Sequence, residues 1–295
     1  MSVENYLKPE VIKQIASLDL KAKFIVEGFL SGMHGSWKHG FSVEFSEYRR
    51  YIPGDDPRAI DWNAYARTDR HYIKLFQAET SLEGYLAMDI SASMDYGTTS
   101  LTKLEYGIAL AAAMGFLMIN QKDSVGLFTF DEKVRALFPA KSKKLHLTRI
   151  IGELARSQPG GKTEFLENCI KLAAFVRHRS LIILFSDLIF PFDEFKKGLS
   201  ILRHSGHDVI LFHILDSAER EFPFDDPVEM EDPETGEKTA VSPDVARKGY
   251  LEAIEKFTES VETECSRQRA DYVPIDTSTP FNIALTSFLV RRSRR

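Results

Sequence analysis

Only two cysteines, Cys169 and Cys265, occur in this chain of 295 residues. Both fall inside helical patterns and neither belongs to a metal-ligand spacing, so both read as buried thiols, and a reducing cytoplasm is the expected compartment. Long hydrophobic runs are missing as well. No stretch reaches the roughly 18 uninterrupted apolar residues of a membrane-crossing helix, and Met1 to Leu20 mixes charges throughout, unlike a signal peptide. An excess of positive charge is the third absence. The net charge is -5, which leaves no basic surface of the kind that phosphate backbones need, so no nucleic-acid partner is expected. The one basic cluster, Arg291, Arg292, Arg294 and Arg295, reads as a solvated terminus.

What is present is ordinary for a globular protein, with 43% apolar and 27% charged residues. The length suits one large α/β domain with an appendage, or two small domains. Val11 to Phe29 shows helical spacing through Ile15, Leu18, Ala22, Ile25 and Phe29. A polar stretch from Gly32 to about Gln77 follows, broken by Pro53-Gly54-Asp55-Asp56-Pro57. Its period fits no stable element, yet its aromatics, among them Trp37, Tyr51 and Trp62, argue for an ordered extension.

From Leu82 onward strands and helices alternate. Short apolar strands are expected at Tyr85–Met88, Ser124–Phe130, Leu181–Phe185, Val209–Leu215 and Tyr272–Ile275, with a further strand at Lys133–Phe138. The helices between them are marked by Leu104 to Met118, Leu145 to Ala155, Phe165 to Val176, a helix after Asp193 that Gly206 ends, and one from Ser242-Pro243 to Cys265. Asp193 is expected to cap its helix. Val228 to Val241 reads as an inserted hairpin, and Phe281 to Val290 as a last helix. This alternation means a doubly wound, mainly parallel sheet with helices on both faces, and a site at the carboxyl ends of its strands. The expected division is 1–81, an N-terminal helix and irregular extension packed on the main domain, and 82–295, the sheet domain.

Three loops at strand ends carry the chemistry. Asp89-Ile90-Ser91-Ala92-Ser93 follows the first strand, Gly160-Gly161-Lys162-Thr163 precedes a helix, and Phe185-Ser186-Asp187 closes the central apolar strand. Magnesium takes hard oxygen ligands in a nearly octahedral shell and keeps several waters. The hydroxyls of Ser91, Ser93 and Thr163 could supply such ligands, with Asp89 and Asp187 providing charge. So few charged direct ligands leave the ion electrophilic, ready for a carboxylate from a partner. Each residue also has a plainer role, since Ser91, Ser93 and Thr163 suit turns and helix caps and Asp187 suits a turn.

Asp89-x-Ser91-x-Ser93, with Thr163 after paired glycines and Asp187 after an apolar strand, resembles the metal-ion-dependent adhesion site of von Willebrand factor A domains. Upstream, Gly32-x-His34-x-Ser36, Glu44-Phe45, Tyr48-Arg49, Tyr51-x-Pro53-Gly54-Asp55-Asp56-x-Arg58-x-Ile60-Asp61-Trp62 and Ala66-Arg67-Thr68 look like the signature of the MoxR-associated, von Willebrand A-like family, a bacterial domain-of-unknown-function family. The resemblance implies a von Willebrand A-like fold and a bound Mg2+ or Mn2+. It also implies a non-enzymatic adaptor that works with a MoxR-type AAA+ ATPase in assembling or activating other complexes. Many relatives carry membrane segments ahead of the signature; none is read here, so no membrane span is expected. Arg49, Arg58 and Arg67 with Asp55, Asp56 and Asp61 form either a structural ion-pair and turn network or a partner-binding surface.

Two rival readings exist. Gly161-Lys162-Thr163 echoes the end of a phosphate-binding loop, but Arg156 stands where that pattern needs glycine, and a helix precedes it. A magnesium-dependent hydrolase or phosphatase would use Asp89 as nucleophile. The familiar phosphatase pattern needs a second Asp two residues on, where this chain has Ser91.

Overall fold

The computed structural model describes residues 43–52, 55, 60–78, 82–99, 101–231 and 236–279. The helices expected over 11–29 and over Phe281–Val290 lie outside the described residues. The chain divides into two compact units, one of them Gly28–Ser81.

Within that unit, β1 (Val43–Arg50) and β2 (Tyr72–Ala78) pair antiparallel, with Val43 opposite Ala78 and Arg50 opposite Tyr72. Between them runs α1 (Trp62–Thr68). Asp61 starts this helix, its carboxylate accepting the Ala64 N–H at 3.3 Å. The turn after β1 is fixed by Asp55, which accepts the Ile52 N–H at 2.9 Å and pairs with Arg49 at 2.8 Å. Tyr65 stacks on His71. An irregular segment is expected here, and two strands and a helix are found. The reason is local: the pairing register shifts between Phe45 and Glu47, so the bulge breaks the alternation that marks a strand.

In the other unit, β3 (Glu83–Asp89), α2 (Lys103–Asn120), β4 (Ser124–Phe130) and β5 (Val134–Lys141) are followed by α3 (Lys144–Leu154) and α4 (Phe165–Phe175). Then come β6 (Leu181–Ser186), α5 (Phe192–His204), β7 (Asp208–Leu215) and α6 (Ser217–Glu221). The hairpin β8 (Val228–Glu231) and β9 (Lys238–Val241), the long helix α7 (Pro243–Arg267) and β10 (Asp271–Asp276) complete it. Six strands form one sheet in the order β10-β7-β6-β3-β4-β5, all neighbours parallel except the antiparallel edge strand β5. Both outermost strands contain a proline, Pro139 in β5 and Pro274 in β10.

Alternation along the strands builds two cores. Tyr85, Ala87, Ile182, Leu184, Val209 and Leu211 face Phe165, Cys169, Phe195, Leu199, Val261 and Cys265 of α4, α5 and α7. On the other face α2 lies so close that a side chain on Gly107 would meet Met88 and Ile214. Both cysteines are free and buried. Asp193 does not cap α5; Pro191 holds that position, and Asp193 sits in the first turn, paired with Lys196.

Strand order places the site. The chain leaves β3 toward β4 on one side and leaves the adjacent β6 toward β7 on the other. Their carboxyl ends therefore flank the crevice at which a doubly wound sheet changes direction.

Candidate functional site

Asp89 ends β3 at that crevice and is fully buried. Its Oδ1 accepts the Ser91 N–H at 3.0 Å, which turns the chain back on itself. Ser91 and Ser93 are buried, their hydroxyl oxygens 3.0 Å apart. Ser91 stands before a short 3-10 turn, Ala92–Asp95, but its side chain makes no capping bond.

The second loop is laced to the first. Ala92 N–H donates to the Gly161 carbonyl and Gly160 N–H to the Ile90 carbonyl, each at 3.0 Å. Gly161 has φ +71°, the left-handed region that glycine adopts freely. This carries the Thr163 hydroxyl to 3.4 and 3.5 Å from the two Asp89 carboxylate oxygens. Glu164, not Thr163, occupies the cap position of α4.

The third loop comes from β6. The Ser186 hydroxyl donates to Asp89 Oδ2 at 2.7 Å and accepts the Leu188 N–H at 3.0 Å. Asp187 is buried, and its Oδ1 accepts the Ile189 N–H at 3.3 Å. Its Oδ2 accepts the Lys103 ammonium at 2.7 Å, and that ammonium also reaches Glu219 Oε1 at 2.6 Å. Between Asp187 and Ile189, Leu188 adopts φ 59°, a left-handed conformation unusual for a branched side chain. The Asp187 carbonyl lies 3.1 Å from His213 Nε2, and Tyr272 Oη lies 2.9 Å from His213 Nδ1. A carbonyl only accepts, so Nε2 carries the proton and Nδ1 takes the tyrosine hydroxyl. Burial holds His213 neutral by pushing its pKa down to about 4.

Electrostatics follow from this packing. Burial, and then the charge of Asp187, raise the Asp89 pKa against the lowering by Ser186 and Ser91. Burial pulls Lys103 down, but Asp187 and Glu219 together raise it further, so it stays an ammonium. Beyond these, Asp216 accepts from Thr98 N–H at 3.0 Å and from Thr277 Oγ1 at 2.9 Å, tying the loop after Ser93 to the ends of β7 and β10. Among the described residues no three His, Cys, Asp or Glu side chains gather as metal ligands. The donor set here is hydroxyls with two carboxylates, which fits a hard cation such as magnesium or manganese.

The structure thus brings together all five residues expected from the motif: Asp89, Ser91, Ser93, Thr163 and Asp187. The sequence reading gives no role at the site to Ser186, Lys103 or Glu219. A signal existed for Lys103, a basic residue at the first position of a mostly apolar helix. Of the six charged residues of the upstream signature named for an ion-pair network or a partner-binding surface, Arg49, Asp55 and Asp61 hold the turn and helix start described above, and Arg67 is exposed in the last turn of α1. Asp56 and Arg58 lie outside the described residues.

A doubly wound sheet of this strand order, with its antiparallel edge and serine loop at the switch point, is a von Willebrand factor A-like fold. Residues 47–260 match the family described as Protein of unknown function DUF58, and the chain belongs to that family. Uncharacterised proteins of Mycobacterium bovis and Mycobacterium tuberculosis are each 28% identical over 231 residues, covering 77% of this chain and 72% of theirs. Among solved structures, the conserved hypothetical protein BatB from Bacteroides thetaiotaomicron has 15% identity and a TM-score of 0.46, covering 73% of this chain and 100% of that one. The SpRpn10 VWA domain has 14% identity and a TM-score of 0.42, covering 72% and 95%. Among the described residues no helix is long and apolar enough to cross a membrane.

Proposed function

We propose that this protein is a metal-dependent protein-interaction module. It holds one Mg2+ or Mn2+ through the hydroxyls of Ser91, Ser93 and Thr163, with Asp89 and Asp187 in support. A carboxylate from a partner protein completes the shell. The observation that carries this reading is the convergence of three loops, far apart in sequence, on the buried Asp89 carboxylate. Two acids brought together in a buried place repel each other, and a divalent cation relieves both.

The arrangement supports binding rather than nucleophilic attack. Asp89 is fully buried and both its oxygens already accept hydrogen bonds, which leaves neither one presented to a substrate. The resemblance of the upstream signature to the MoxR-associated family supports a MoxR-type AAA+ ATPase as the partner, with this protein as adaptor in the assembly or activation of a third complex.

Calorimetric titration of Mg2+ and Mn2+ tests the site. One divalent site is expected in the wild type, with affinity lowered at least about ten-fold in Asp89→Ala and in Ser91→Ala combined with Ser93→Ala. Folded variants that bind as the wild type does would remove these loops from ion binding.

A further inference from the structure

Lys103 is out of place by two physical criteria. Its side chain is fully buried, which lysine almost never is. It also occupies the first position of the 18-residue helix α2, where the helix dipole disfavours a cation. The rest of α2 is nearly all buried and apolar. The ammonium is engaged on several sides, by Asp187 at 2.7 Å, by Glu219 at 2.6 Å and by the Tyr96 ring, whose centroid is 5.7 Å away. Through Asp187, whose charge acts on Asp89, it therefore stands one carboxylate away from the acid on which the loops converge.

We infer that Lys103 is the internal counter-cation of the site and holds down its affinity for a divalent ion; this rests on the metal-site reading above. Two effects combine. Lys103 occupies Asp187 Oδ2 while the Ile189 N–H occupies Oδ1, which pins this acid and leaves direct ligation to the hydroxyls. The second effect is charge. Asp89, Asp187 and Glu219 against Lys103 leave two negative charges, which a divalent ion cancels. Without Lys103 there are three, and the loaded site stays negative and repels an arriving carboxylate. Lys103 thus weakens the grip on the ion and leaves the loaded site neutral toward an anionic ligand.

The test is calorimetric titration of Mn2+ into full-length wild type, Lys103→Met, Glu219→Gln and the double variant, each checked for folding by circular dichroism. Lys103→Met is expected to bind Mn2+ about ten-fold more tightly, and Glu219→Gln about ten-fold more weakly. The double variant has the wild-type net charge and should return close to wild-type affinity. Should Lys103→Met fail to fold, Glu219→Gln carries the test, because the Glu219 side chain is 17% exposed. Ion binding by the wild type with this order absent, Glu219→Gln unchanged or Lys103→Met weakened, overturns the role of Lys103 alone. No Mn2+ binding in any form, wild type included, overturns the metal site and this inference with it.

Discussion

Asp123 shows how much one carboxylate can matter outside the site. At the entry to β4 its Oδ1 accepts the Leu82 N–H at 2.8 Å, while its buried Oδ2 meets no donor among the described residues. Burial pushes its pKa up to about 7, against the lowering by Leu82. Between about pH 4 and pH 7 the unfolded chain has lost this proton and the folded protein keeps it, so stability falls as pH rises through that window. Asp123→Asn preserves the acceptor for Leu82 and abolishes the charge. At pH 8 the variant should melt several degrees above wild type, with a ceiling of about 4 kcal/mol set by the gap between the buried carboxyl and an ordinary one in water. At pH 4 the two should melt together. A variant that is less stable at pH 8 in thermal melts would contradict this account. At this scale the sequence was legible where spacing along the chain suffices, as in Asp89, Ser91 and Ser93. It was silent on the role of Ser186, because its bond to Asp89 exists only once β6 lies beside β3, and on that of Glu219, 116 residues from Lys103.

Elements were read well where both faces of a strand are covered. The continuous apolar run of β6 and that of β7 were each placed to within a residue, because a strand buried on both faces needs no alternation. By contrast, α6 went unread: five residues are too few for a helical period, although Asp216 and Glu219 form a capping box at its start. The close approach of α5 to α4 is an element-scale feature with a direct consequence. A side-chain carbon on Gly198 would lie 2.6 Å from Phe165 Cε1 and 2.9 Å from Cys169 Sγ. Gly198→Ala should therefore cost about 1–3 kcal/mol of overpacking, only partly offset by a gain of about 1 kcal/mol in helix propensity. The melting temperature should drop by a few degrees, with Mn2+ affinity retained. An unchanged or higher melting temperature would mean that the two helices part at little cost.

For the whole molecule, the proposed adaptor role predicts cation-dependent capture of a AAA+ ATPase. Full-length protein used as bait in magnesium should retain the ATPase, and chelator or Asp89→Ala should release most of it. Salt should weaken the complex only in part, since a directly ligated carboxylate escapes the screening that affects exposed pairs. Retention that survives both chelator and the variant would confine the interaction to other surfaces. The two edge prolines bear on where any such partner can land. Proline within a sheet sits on an outer strand with its donor-less nitrogen toward solvent, so neither Pro139 nor Pro274 offers the row of donors that a foreign strand would need. An edge that lacks a donor at its proline is a poorer template for sideways pairing as the protein becomes crowded. Visitors are turned toward the two ends of the strands instead, and at one of those ends stand Asp89 and its serines.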